Sequence, residues 1–118
     1  MAPGVVLVSS DLFFITKVKE ASASLNRPFA VVRSEAALEA QLNAPAAAGL
    51  LCIDLERCPL PVEALSPRVA ALSSAWRVVS FFSHVHEDTA EKAQQHGLGE
   101  VLPRSRFVRV LPELLATL

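Results

Sequence analysis

Short apolar runs alternate with helical patterns five times along this chain of 118 residues. The apolar runs are residues 5–8, 29–32, 50–53, 76–83 and 100–102, and the helical patterns are residues 12–25, 34–43, 62–74, 87–96 and 108–118. Strands that alternate with helices imply right-handed crossovers, and these build a parallel sheet with helices on both faces. We therefore predict a single α/β domain over residues 1–118 with a doubly wound sheet of five parallel strands.

The composition excludes several classes of function. Hydrophobic residues make up 52% of the chain, which predicts a globular domain with a buried core. A net charge of -1 without a block of like charges gives no basic surface for nucleic acid. No apolar segment reaches membrane-spanning length, and the first residues lack a secretory signal, so a cytoplasmic location is expected. Cys52 and Cys58 are then expected to be free thiols.

Two of the helical patterns make predictions about individual residues. The first pattern repeats at threes and fours through Leu12, Ile15, Val18, Ser22 and Leu25. Ser10 or Asp11 could cap this first helix. The last pattern contains Pro112, which suits the first turn of a helix better than its middle, so the regular part of the last helix is expected to start late. Gly97 is the expected C-terminal residue of the fourth helix.

The run from Leu50 to Asp54 ends in one carboxylate, and a loop with Pro59 follows. A continuous apolar run of this kind is typical of a strand buried on both faces, and open α/β sheets place their functional groups at the carboxyl ends of such strands. Two interpretations of Asp54 follow: it belongs to a functional site, or its side chain caps the next turn. The other strand ends contribute Ser9, Ser10, Asp11, Glu56, Ser83, His84 and Arg104.

With these residues in place, the sequence resembles the receiver domain of two-component response regulators over its whole length. The resemblance rests on the five strand–helix units, on Asp54 followed by Pro59, on the strand-end hydroxyl of Ser83, and on the segment GLGEVLPR at 97–104. It implies a flavodoxin-like (βα)5 fold and a role in signalling.

The resemblance also assigns expected roles to single residues. Asp54 falls on the phospho-acceptor position, and Ser83 and Arg104 fall on the positions that contact the phosphoryl group. Four further positions depart from the family pattern: Ser9 and Ser10 at the two acidic metal-binding positions, Val101 at the aromatic switch position, and Ser105 at a position where a cis-forming proline is usual.

These departures indicate a degenerate receiver, or pseudo-receiver. Mg²⁺ prefers carboxylate oxygens, so Ser9 and Ser10 are weak replacements, with Asp11 and Glu56 as candidate compensating acids. The fork of Arg104 is not equivalent to the ammonium of a lysine. We therefore expect a module that acts by protein–protein contact, without enzymatic activity, cofactor or conventional Mg-dependent phosphorylation.

The expected partner is a protein, such as a histidine kinase or an output protein, or a second copy in a homodimer. By resemblance, contact is expected on the face formed by the fourth helix, the fifth strand and the fifth helix. Neither nucleic acid nor membrane is expected as a partner.

Two alternatives remain open at this point. The first is a phospho-accepting receiver that binds Mg²⁺ and is phosphorylated on Asp54 with a kinase as partner. The second is a small flavodoxin-like enzyme or ligand-binding domain, for which the sequence supplies no cofactor motif. The segment from His84 to Asp88 could also suggest a metal site, although a solvated loop whose Glu87 and Asp88 favour the start of a helix is the preferred interpretation.

Overall fold

The computed structural model describes residues 4–43, 48–83 and 87–118. The strands are β1 (Gly4–Val8), β2 (Phe29–Val32), β3 (Gly49–Asp54), β4 (Trp76–Phe82) and β5 (Glu100–Pro103), and the helices are α1 (Leu12–Ser24), α2 (Glu35–Leu42), α3 (Val62–Ala70), α4 (Glu87–Gln95) and α5 (Arg104–Ala116). All five strands are parallel and lie in the order β2-β1-β3-β4-β5. The predicted doubly wound five-stranded sheet is thus confirmed.

The core lies on both faces of the sheet. Buried side chains of α1 and α5 pack on one face, and those of α2, α3 and α4 pack on the other. The central strand β3 is buried along its whole length, as its uninterrupted apolar sequence predicts. This arrangement holds the carboxyl end of β3, and with it Asp54, between two covered faces.

Helix α1 begins where the sequence predicts, but its buried face does not include all residues of the predicted apolar pattern. Asp11 is the N-cap, and its Oδ1 accepts hydrogen bonds from the backbone N–H groups of Phe13 and Phe14. The predicted apolar face was wrong at both ends: Leu12 is 71% exposed and Leu25 is 39% exposed. The buried stripe starts instead at Phe14 and continues through Ile15, Val18 and Ser22.

The prediction of a late start for the last helix was wrong. Helix α5 begins at Arg104 and continues to Ala116 with Pro112 inside it. An internal proline costs about 3 kcal/mol because it lacks the N–H donor. Buried leucines flank it at Leu111, Leu114 and Leu115, and burial of each contributes about 1.5–3 kcal/mol, which offsets the lost hydrogen bond.

The connections after α3 and α4 contain a local serine turn and a left-handed glycine, respectively. Helix α3 stops at Ala70, four residues before the predicted end, and the Oγ of Ser73 then accepts the N–H of Ala75, a local turn that directs the chain into β4. Gly97 follows α4 with φ of 68°, the left-handed conformation predicted for it.

Three phenylalanines form a stack that joins α1, β4 and α5. The ring centroids of Phe14 and Phe81 are 5.1 Å apart, and those of Phe81 and Phe107 are 4.2 Å apart with nearly parallel planes. Stacked aromatic pairs stabilise a core beyond their buried area. The stack therefore holds the first turns of α1 and α5 in register at the carboxyl edge of the sheet.

Among the described residues, no helix combines the length and the apolar character that crossing a membrane requires.

Candidate functional site

Four strand ends meet at the carboxyl edge of the sheet. Ser9 follows β1, Asp54 ends β3, Ser83 follows β4, and Arg104 follows β5. Parallel pairing brings these positions to the same edge, where doubly wound sheets carry their sites. The sequence-predicted residues are thus on one edge, and their side chains decide what the site can do.

The carboxylate of Asp54 is completely buried, and the protein satisfies both of its oxygens. Oδ2 accepts a hydrogen bond of 2.8 Å from the hydroxyl of Ser9. Oδ1 accepts the backbone N–H groups of Glu56 at 3.0 Å and Arg57 at 3.1 Å. The second interpretation of Asp54 from the sequence, a side chain that caps the following turn, therefore describes its contacts.

Ser9 is also completely buried, and its hydroxyl oxygen is used twice. It donates to Asp54 and accepts the backbone N–H of Asp11 at 3.0 Å. Ser10 is exposed, and both its hydroxyl and its N–H donate to the carbonyl oxygen of Arg57. The two serines, which the resemblance places at metal-binding positions, thus act as hydrogen-bond donors that connect the end of β1 to Asp54 and to the turn after β3.

Asp11, the first of the two candidate compensating acids, is engaged at the start of α1. Its Oδ1 caps the helix, and its Oδ2 lies 3.5 Å from an Nη atom of Arg104. A carboxylate at a helix N-terminus is favoured by the N–H groups there. Both oxygens of Asp11 therefore have partners within the protein: Oδ1 at the start of α1 and Oδ2 at Arg104.

Glu56, the other candidate compensating acid, reaches across to the end of β4. Its Oε1 accepts the backbone N–H of Ser83 at 2.9 Å. This hydrogen bond links the turn after β3 to the first residue beyond β4. The structure thus places Ser83 beside a carboxylate of the same chain.

Arg104 lies against an aromatic ring at the first turn of α5. Its guanidinium carbon is 4.4 Å from the ring centroid of Phe14, and its charge faces Asp11. Its Nε is buried and has no hydrogen-bond partner among the described residues. A planar guanidinium stacks on a ring in a way that an ammonium cannot, so arginine at this position serves packing as well as charge.

The other positions named by the resemblance are Val101 and Ser105. Val101 is half-buried in β5 and packs against the core on the α2–α4 face of the sheet. Ser105 is exposed on the first turn of α5. The suggested metal site from His84 to Asp88 begins in residues 84–86, which lie outside the described residues.

The described acids do not assemble a magnesium site. Within residues 4–43, 48–83 and 87–118, no group of three or more histidine, cysteine, aspartate or glutamate side chains is placed to hold a metal ion. The side-chain oxygens that could serve as ligands already have other contacts. Ser9 donates to Asp54, Asp11 caps α1, and Glu56 accepts the N–H of Ser83. Magnesium requires several oxygen ligands around one point, and these oxygens point to different partners.

The two cysteines are free thiols, as the sequence predicts. Burial strongly raises the pKa of the Cys52 thiol in the core. Burial also raises the pKa of Cys58; the hydrogen bond from the Leu60 backbone opposes this shift, and the charge of Asp54 adds to it. Both thiols are therefore weakly nucleophilic at neutral pH.

Sequence reasoning missed two contributors to the site. Phe14 supports Arg104, and the carbonyl of Arg57 anchors Ser10. Phe14 carries a weak signal, since it directly precedes Ile15 in the helical stripe. A carbonyl acceptor carries no sequence signal because every residue has one.

Comparison with known proteins gives matches in structure alone. No family model matches the chain, and no curated protein matches it in sequence. Among solved structures, the phosphorylated cyanobacterial phytochrome response regulator RcpA is similar with a TM-score of 0.74 and 18% identity, over 100% of this chain and 97% of that one.

Two further structures show the same likeness. The receiver domain of the sensor histidine kinase PA1611 from Pseudomonas aeruginosa PAO1, with a magnesium ion in its active-site cleft, has a TM-score of 0.68 and 14% identity over 98% of this chain and 99% of that one. Full-length FixJ from B. japonicum has a TM-score of 0.70 and 16% identity over 99% of this chain and 60% of that one. The chain therefore has the flavodoxin-like fold of receiver domains.

Proposed function

We propose that this protein is a receiver-like signalling module that acts by protein–protein contact and does not use conventional Mg-dependent phosphorylation. The observation that carries the proposal is the enclosure of Asp54, which has no exposed surface and accepts three hydrogen bonds from its own chain. The receiver fold supports the signalling role, and the contacts of Asp54 support the absence of the modification.

The enclosure opposes phosphorylation in two ways. A carboxylate oxygen must be free to attack a phosphorus atom. Release of Oδ2 leaves the buried hydroxyl of Ser9 without its acceptor, at about 1–3 kcal/mol, and release of Oδ1 breaks the part-buried hydrogen bonds from the N–H groups of Glu56 and Arg57. The added phosphoryl charge would also lie on the edge of the sheet that carries Glu56, and the described residues include no group of acids placed to hold Mg²⁺. In this proposal the protein is not an enzyme and carries no cofactor.

An exposed apolar pair supports the role in protein contact. Leu12 and Phe13 are 71% and 70% exposed on the first turn of α1, beside the strand-end site. Neighbouring apolar side chains on a surface are more typical of an interface than isolated ones are. A histidine kinase, an output protein or a second copy remains the proposed class of partner, on this surface or on the α4–β5–α5 face implied by the resemblance.

Phosphorylation can be measured directly. The purified protein is incubated with Mg²⁺ and a small phosphodonor such as acetyl phosphate, and its mass is recorded intact, with Asp54→Asn as the control. The expected result is no added phosphate on the wild type. Addition of phosphate that the Asp54→Asn variant abolishes would reject the proposal and establish the phospho-accepting alternative.

A nuclear magnetic resonance titration provides an independent test. Amide spectra are recorded with Mg²⁺ and then with beryllofluoride, which mimics an acyl phosphate. Unchanged signals for Asp54, Ser83 and Arg104 are expected. Saturable shifts at these residues would show a functional phosphorylation pocket.

A further inference from the structure

The side chain of Glu56 continues the connection between β3 and β4 where the strand pairing stops. Asp54 pairs with Phe81, and the N–H of Leu55 makes one more backbone hydrogen bond of 3.0 Å to the carbonyl of Phe81. Two residues after Phe81, and one residue beyond the end of β4, the N–H of Ser83 donates to Oε1 of Glu56. The carboxylate of Glu56 thus accepts the first backbone N–H beyond the end of β4.

Side chains from β3 and from the end of β1 bind the backbone of the turn that carries Glu56. Asp54 accepts the N–H groups of Glu56 and Arg57, and Ser10 donates to the carbonyl of Arg57. The turn is therefore positioned before Glu56 meets Ser83, and little conformational freedom is lost when the side chain binds. Such positioning favours a persistent hydrogen bond over a transient one.

The chemistry of this contact is that of anion binding. A backbone N–H that donates to a carboxylate makes a charge-assisted hydrogen bond, and the same N–H could donate to an oxygen of phosphate instead. An external phosphate would have to displace Glu56 from Ser83 and would meet the negative charges of Glu56 and Asp54 on the same edge of the sheet.

We propose that Glu56 is a resident anion: its carboxylate occupies the N–H of Ser83 and excludes an external oxyanion of the phosphate class from the end of β4. This inference rests on the proposed function, because it assigns to Glu56 one part of the block against phosphorylation. Phosphoryl contact at Ser83 is already implied by the resemblance, and the new assignment is that Glu56 occupies this latent oxyanion subsite with its own carboxylate.

Variants at Glu56 test this proposal through the Ser83 amide. Hydrogen exchange and amide chemical shifts are measured in the wild type, Glu56→Ala and Glu56→Gln. Loss of one hydrogen bond predicts exchange of the Ser83 amide about tenfold faster in Glu56→Ala. Glu56→Gln, which keeps a neutral oxygen acceptor, is expected to fall between the two. Glu63→Ala is a matched control, since Glu63 is an exposed glutamate on α3 that pairs with Lys92.

Titration with inorganic phosphate at constant ionic strength then tests the latent subsite. A saturable shift of the Ser83 amide is expected in Glu56→Ala and not in the wild type or Glu63→Ala. The proposal is overturned if exchange at Ser83 is unchanged in Glu56→Ala, if phosphate causes no shift there, or if phosphate shifts the wild type equally. The phosphodonor assay reports separately on Asp54, so labelled wild-type protein would reject the proposed function without deciding the role of Glu56.

Discussion

The hydroxyl of Ser9 donates a hydrogen bond of 2.8 Å to Oδ2 of Asp54, and both side chains are completely buried although they are 45 residues apart in the chain. This contact joins the ends of two neighbouring parallel strands. The Ser9 hydroxyl, which stands at one of the two positions where the resemblance expects an acid, therefore acts as a hydrogen-bond donor to the Asp54 carboxylate.

The Ser9→Ala variant tests the strength of this contact. It leaves an oxygen of Asp54 and the N–H of Asp11 without a partner inside the protein, so we expect the free energy of unfolding to fall by about 1–3 kcal/mol. Urea denaturation followed by the fluorescence of Trp76, the one tryptophan, measures it. Ser10→Ala is the control, because Ser10 is exposed and a change within about 0.5 kcal/mol is expected. Equal effects of the two variants would contradict a special role for Ser9.

The Ser9→Asp variant tests the link between this position and magnesium. A second carboxylate beside buried Asp54 is uncompensated, and we expect a loss of about 3–5 kcal/mol in the absence of divalent cations. Addition of about 10 mM Mg²⁺ should recover part of this loss by binding the folded state. Thermal unfolding with and without Mg²⁺ measures both effects, and the wild type should show no specific stabilisation. A wild-type melting temperature that rises as much as that of the variant would show that the natural site already binds Mg²⁺.

Arg104 and Asp11 should contribute to the stability of the folded state mainly through separate contacts and not through their ion pair. Their side chains are partly exposed and their charged atoms are 3.5 Å apart, so a double-mutant cycle with alanine is expected to give a coupling energy of about 1 kcal/mol or less. Asp11→Ala alone should cost about 0.5–2 kcal/mol through loss of the helix cap. Arg104→Lys should lose the stacking on Phe14 while keeping the charge. A coupling energy well above this limit would show that the ion pair, and not the stacking, holds Arg104.

The stability of the protein should fall in alkaline solution because of Cys52. Burial raises the pKa of this thiol in the folded state, whereas in the unfolded chain it ionises near pH 8.5. Above that pH the unfolded state binds fewer protons than the folded state, so the free energy of unfolding is expected to fall by about 1.4 kcal/mol per pH unit.

Urea denaturation between pH 7.5 and 10 under reducing conditions measures this dependence. Cys52→Ala should flatten the slope, whatever its effect on stability at neutral pH. Cys58→Ala should leave most of the slope in place, because Cys58 is only half-buried. An unchanged slope in Cys52→Ala would contradict this assignment.

The fold could be predicted because its signals are local. Uninterrupted apolar runs such as Leu50 to Ile53 indicate strands covered on both faces, and their alternation with helical patterns determines the parallel topology. Gly97 was predictable for the same reason, since a glycine after a helical pattern is typical of the left-handed conformation seen there.

The contacts of the site could be predicted only in part. The sequence indicates that Asp54, Ser83 and Arg104 lie on one edge, because strand ends meet there. It does not indicate that Glu56 bonds Ser83 or that Arg104 stacks on Phe14, since these choices depend on side-chain conformations and on distances between separate loops. Likewise, the exposure of Leu12 beside buried Phe14 depends on how α1 packs against the sheet, which periodicity alone does not give.

The enclosure of Asp54 also bears on how such a site can change over evolutionary time. An acid introduced at Ser9 alone meets a buried carboxylate that has lost its hydrogen-bond donor, and the other acids remain committed to Ser83 and to the start of α1. A path of single substitutions toward a metal-binding site therefore passes through a less stable protein. Selection for stable folding alone would therefore disfavour an acid at position 9.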